Sequence, residues 1–163
     1  MNTRVLTRTS GIAILYVALT LIFAPISYGP IQVRISEALT VLPFVFPEAV
    51  LGLFIGCLIS NIFSFLGILD IFFGSLATLL AAYLTRKMPH FVLAPLPPVV
   101  VNALVVGWIL YFTIQVPFLW SMLYVGLGQL LACYGLGLPL LYFLQKRRLR
   151  DQIAEIPDSR EQD

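Results

Sequence analysis

Four ionisable residues stand inside or beside long apolar runs: Arg34, Glu37, Glu48 and Asp70. A carboxylate there can accept several hydrogen bonds or hold a cation, and a guanidinium can donate to a carbonyl or carboxylate. Four amides, Gln32, Asn61, Asn102 and Gln129, interrupt the same runs. Gln32, Arg34, Glu37, Asn61, Asp70 and Asn102 are the candidate binding residues for a small polar or cationic ligand. Each also has a plain structural reading. Ser36-Glu37 could be an N-cap followed by a first-turn acid, and Asp70 could cap a helix. Arg34 could pair with Glu37 three residues on, and amides can hold helices together. Glu48 follows Pro47 and reads as a helix-start residue.

Catalytic signatures are absent. No G-x-x-x-x-G-K-[ST] and no G-x-S-x-G occurs, and His90 is the single histidine. Two cysteines, Cys57 and Cys133, make no disulfide framework and read as packing residues. The expectation is therefore no catalytic residues, no metal site and no cofactor, in a protein that is not an enzyme. An integral-membrane enzyme with Glu37 and Asp70 as acid and base, and a structural or assembly protein, are the competing classes.

The elements that must position these residues are legible from composition. The chain has 163 residues, 60% of them hydrophobic and only 11% charged. Soluble domains carry about 25% charged residues. Residues 9–33, 38–47, 49–69, 71–85 and 88–145 contain no Asp, Glu, Lys or Arg. A spanning helix needs about 20 apolar residues, so the last run must fold back, and Gln115-Val116-Pro117 is the natural place. An all-α integral membrane protein follows, with six transmembrane segments at about 10–26, 36–46, 48–66, 70–85, 96–115 and 119–144. Pro43 and Pro47 predict a second helix that is short or broken. The first apolar stretch reads as a retained span, because Tyr28-Gly29-Pro30 does not follow an A-x-A-like cleavage site.

Six segments alternate sides and divide the basic residues unevenly. Arg4, Arg8, Arg86, Lys87, Lys146, Arg147, Arg148, Arg150 and Arg160 share one side, and Arg34 stands on the other. The positive-inside rule makes both termini cytoplasmic. Arg34, Glu37 and Asp70 then lie near the outer face, with Glu48 near the inner one. Residues 1–145 form one transmembrane domain, and 146–163 a polar cytoplasmic tail. The small net charge of +2 argues against nucleic-acid binding. Small residues recur every four positions: Gly52, Gly56, Ser60 and Ser64; Gly74, Thr78 and Ala82; Ala77, Ala81 and Thr85; Gly128 and Ala132; Cys133 and Gly137. They predict close helix packing, chiefly within the bundle.

Three stretches carry a family resemblance. Tyr28-Gly-Pro-Ile-Gln-Val-Arg-Ile-Ser-Glu-Ala-Leu-Thr-Val-Leu-Pro43 resembles the first outer loop and second segment of QueT-type proteins. Gly52-Leu-Phe-Ile-Gly-Cys-Leu-Ile-Ser-Asn61 and Asp70-Ile-Phe-Phe-Gly-Ser-Leu-Ala-Thr-Leu-Leu-Ala-Ala82 resemble their third and fourth segments. Residues 95–145 are similar only in hydropathy and length. The resemblance implies a substrate-binding S component of an energy-coupling factor (ECF) transporter in a prokaryotic cell membrane. It would work with a transmembrane coupling protein and two ABC-type ATPases. The implied substrate is a queuosine precursor, a 7-deazaguanine such as 7-aminomethyl-7-deazaguanine (preQ1) or queuine. Another vitamin or purine-like micronutrient is the alternative. A deazaguanine offers N–H donors that suit a carboxylate and a carbonyl that suits Asn, Gln or Arg. S components often carry an A-x-x-x-A docking ridge on the first helix. Here the comparable positions are Ser10, Ile14 and Ala18.

Overall fold

The computed structural model describes residues 3–28 and 33–154, the last seven as backbone. Every regular element among the described residues is helical. Helix α1 (Thr3–Ile22) begins before the expected position 10, and Pro25 starts the single turn α2 (Ala24–Ser27). The second segment, Ile35–Phe44, is a 3-10 helix of ten residues with Pro43 near its end. At about 2.0 Å per residue it reaches about 20 Å, where an α-helix of that length reaches about 15 Å. It is also slender, and Ser36 through Pro43 are all buried. The narrowest element thus occupies the middle of the bundle.

Helix α3 (Ala49–Asn61) follows Pro47-Glu48 and ends at Asn61, short of the expected 66. The connection turns at Gly67, whose φ of 71° lies in the left-handed region that glycine tolerates. A π turn (Asp70–Gly74) leads into α4 (Ser75–Arg86). Helix α5 (Leu96–Ile114) carries prolines in its first turn, where a missing N–H costs nothing. It stops at Gln115, itself left-handed with φ 58°, and Pro117 precedes α6 (Phe118–Leu130). The chain therefore folds back at Gln115-Val116-Pro117, as expected. A second π turn (Leu131–Gly137) joins α6 to α7 (Leu138–Ala154). Helix α7 runs on past residue 145, so no break in secondary structure marks the polar tail.

Three helical runs are long and apolar enough to cross a bilayer: Thr3–Ile22, Phe91–Ile114 and Phe118–Arg147. Large apolar side chains such as Ile14, Ile22, Ile68, Leu119 and Leu131 face outward. Arg34, Glu37, Asn61, Asp70, Asn102 and Gln129 are buried. This inside-out distribution is what lipid as solvent selects.

The small-residue ridges serve packing within the bundle. A Cβ on Gly52 would lie 2.7 Å from the Thr9 carbonyl oxygen, and one on Gly56 2.9 Å from Tyr16 Cβ. A Cβ on Gly137 would lie 2.9 Å from the Ala38 carbonyl oxygen, and one on Gly107 3.1 Å from Met122 Cα. Backbones approach this closely only where a side chain is missing. Around the α1–α3 seam, Tyr16, Leu39, Leu42, Leu53, Cys57 and Ala82 form an apolar core. A second core, Leu66, Val106, Ile109, Leu110 and Val125, lies between α5 and α6.

Gly52→Leu should force α1 away from α3 and cost about 1–3 kcal/mol, the usual range for overpacking. Gly11 has open space where its Cβ would be, so Gly11→Ala should leave stability unchanged or slightly raised. Thermal unfolding in detergent separates the two, and equal melting temperatures would contradict the seam.

Candidate functional site

The first arm of the site is built on Arg34, which directly precedes the 3-10 helix. Its side chain turns away from its own element. Nη1 donates to Asn61 Oδ1 at 2.9 Å, and Nη2 donates to Asp70 Oδ2 at 3.1 Å. Asn61 Nδ2 in turn donates to the Asp70 carbonyl oxygen at 2.8 Å. Tyr28 closes this arm. Its ring lies 5.4 Å below the guanidinium carbon, and its hydroxyl donates to the Ser60 carbonyl oxygen at 2.6 Å. Arg34, Asn61 and Asp70 are all buried, Asp70 completely.

The second arm is built on Glu37, one turn further along. The Tyr16 hydroxyl of α1 donates to Oε1, and Asn102 Nδ2 of α5 donates to Oε2 at 3.2 Å. The Thr40 hydroxyl and the Cys133 thiol hold the Glu37 backbone carbonyl. Thr20 donates to the Ser36 hydroxyl at 2.7 Å, so Ser36 is engaged laterally and caps nothing. Asp70 likewise makes no capping hydrogen bond. Both side chains are spent on contacts between elements.

Between the arms lies a cavity of about 10 Å³, lined by Arg34, Glu37, Gly74, Thr78, Asn102 and Gln129 among others. That is room for one water at most. Five buried side-chain polar atoms among the described residues have no hydrogen-bond partner: the hydroxyls of Ser27 and Ser60, and, on the charged and amide side chains of the two arms, Arg34 Nε, Asp70 Oδ1 and Asn102 Oδ1. Buried polar atoms are nearly always paired, so this set needs an explanation. The first π turn begins at Asp70, and the second begins two residues after Gln129. Such turns recur at functional sites.

Five of the six expected site residues, Arg34, Glu37, Asn61, Asp70 and Asn102, come together in this network. Gln32 lies outside the described residues. Glu48 stands apart, at the far end of α3, and accepts from Arg8 at 2.8 Å. The length of α3 puts that pair about 20 Å from Asn61. Tyr16, Tyr28 and Thr78 were not among the expected residues. Only the Tyr28-Gly29-Pro30 turn signalled one of them. Gln129 was legible as an amide in an apolar run, and it lines the cavity. Ser10 and Ile14 lie exposed on the outer side of α1, and Ala18 is half-buried.

No solved structure matches the chain. A protein of Lactococcus lactis subsp. cremoris (strain MG1363), described as the queuosine precursor transporter QueT, is 44% identical over 70 residues. That match covers 42% of this chain and 41% of the relative's length. The QueT transporter family matches residues 6–146, nearly the whole described bundle. A transporter rather than an enzyme is what these matches describe, and the chain belongs to the QueT transporter family.

Proposed function

We propose that the chain is the substrate-binding S component of an ECF-type importer and captures a 7-deazaguanine queuosine precursor, preQ1 or queuine, from outside. The carrying observation is the buried network of Arg34, Glu37, Asn61, Asp70 and Asn102, with three of its polar atoms unpaired. Charge at this depth is costly without a purpose. Counted as ionised, Glu37 and Asp70 against Arg34 leave one net negative charge, which suits the aminomethyl ammonium of preQ1. The Lactococcus relative is described as a queuosine precursor transporter, which supports this ligand class. A bicyclic base is far larger than the cavity, so binding must displace side chains around it.

Six spans with cytoplasmic ends complete the proposal. The nine-to-one division of basic residues supports the orientation. The Arg8–Glu48 pair then marks the inner face, and the polar network lies toward the outer one. The sequence carries no P-loop, so ATP hydrolysis belongs to partners, a coupling protein and two ABC-type ATPases. Ser10 and Ala18 on the first helix form part of the docking face in this reading.

Three experiments test this. Calorimetric titration of the purified chain should give a Kd for preQ1 that rises roughly tenfold or more in Glu37→Gln and in Asp70→Asn, since about 1.4 kcal/mol is a factor of ten. Glu37→Gln should hurt the cationic preQ1 more than neutral 7-deazaguanine, while Glu48→Gln leaves affinity unchanged. Unaltered affinity in both network variants would return the acids to a structural role. Cysteines introduced at Val116 and Met88 test orientation in intact cells. Impermeant reagent should label the first and spare the second, and the reverse pattern would invert the topology. Vesicles holding the chain alone should not concentrate preQ1, and adding the coupling module with ATP should start uptake. Concentrative uptake without an ATPase would exclude the S-component assignment.

A further inference from the structure

We infer that Arg34 Nε, Asp70 Oδ1 and Asn102 Oδ1 read a 2-amino-6-oxopyrimidine edge, and so select guanine-type over hypoxanthine-type and adenine-type bases. This inference rests on the proposed ligand class and makes it specific. The three atoms are the unpaired ones of the network's charged and amide side chains, in residues that are all more than nine-tenths buried. Two of these residues line the cavity, and the oxygen of the third packs against a glycine that does. Arg34 and Asn102 line the cavity directly, and so does Gly74. Asp70 Oδ1 lies against Gly74, close enough to overlap the position of a Cβ there. Any side chain at residue 74 would cover that oxygen.

The pattern is one donor and two acceptors. Arg34 Nε can only donate, while Asp70 Oδ1 and Asn102 Oδ1 accept. Asn102 spends its amide N–H on Glu37, which fixes its oxygen on the other side. The complement is a ligand edge with one acceptor and two donors. A guanine-type base presents that edge: the 6-carbonyl, N1–H and the 2-amino group. Arg34 and Asp70 are directly bonded to each other, whereas Asn102 belongs to the Glu37 arm. The order along the ligand is therefore carbonyl to Arg34, N1–H to Asp70 and 2-amino to Asn102. Glu37 has both oxygens held by Tyr16 and Asn102 and keeps spare lone pairs for the aminomethyl cation.

Analogues that change one group at a time test the assignment. 7-Deazahypoxanthine lacks only the 2-amino group. 7-Deazaadenine replaces the carbonyl by a donor and N1–H by a bare acceptor, and also lacks the 2-amino group. The full-length chain in detergent should bind 7-deazaguanine roughly tenfold or more tighter than 7-deazahypoxanthine, and about a hundredfold or more tighter than 7-deazaadenine, because a polar site rejects a ligand that leaves it unpaired. In Asn102→Leu the first ratio should fall to about one while 7-deazahypoxanthine still binds. The wild-type series stands without the variant, should Asn102→Leu fail to fold. Wild-type affinities for 7-deazaguanine and 7-deazahypoxanthine within about twofold of each other would overturn the edge assignment and leave the proposed function intact. Binding of no deazapurine at all would overturn both.

Discussion

The fold depends on one buried cation. Arg34 carries the charge that a chain of this composition can least afford inside lipid, and its guanidinium is neutralised by Asp70 and steadied by Asn61. Arg34 and its two partners come from separate elements, with Asn61 at the end of α3 and Asp70 at the start of the first π turn. Removing one partner of a buried ion pair strands the other, at about 3–5 kcal/mol. The Glu37 arm repeats this logic across α1 and α5 through Tyr16 and Asn102. Close packing then follows from the small residues, because Gly52, Gly56 and Gly137 let neighbouring backbones approach to the distance these hydrogen bonds require.

Much of this was legible in the sequence, for a definite reason. A polar residue in an apolar segment has no solvent, so Arg34, Glu37, Asn61, Asp70 and Asn102 announced themselves by type and context alone. Gln115-Val116-Pro117 was equally plain, since proline stops a helix and an apolar run of that length cannot cross once. Tyr16 and Thr78 were hidden for the opposite reason. Tyrosine and threonine are common in membrane helices, and nothing in their spacing separates a hydroxyl that holds a carboxylate from one that back-bonds its own helix.

Helix type was the other blind spot. Pro43 and Pro47 signalled that the second segment is irregular, but a ten-residue 3-10 helix is a response to burial on every side. The first π turn begins at Asp70 and the second just after Gln129, and no hydrophobic period reports either. The ends of α3 and α7 differ from hydropathy for related reasons. Asn61 ends α3 while apolar residues continue to 66, and α7 continues through residues too polar for lipid. Capping was a fair reading of Ser36 and Asp70 from local sequence. It failed because each side chain found a partner on a distant element, which local sequence does not contain.

The order in which the polar network is assembled along the chain bears on biosynthesis. Arg34 is made before Asn61 and Asp70, so a nascent chain carries an unneutralised guanidinium until Asp70 has been made. Glu37 meets Tyr16 at once, but its second oxygen stays bare until α5 delivers Asn102. The chain therefore holds its unpaired cation throughout the synthesis of α3. Once α5 is made, the Arg34 guanidinium and the Glu37 carboxylate both have their side-chain partners, and only the Cys133 thiol is still to come.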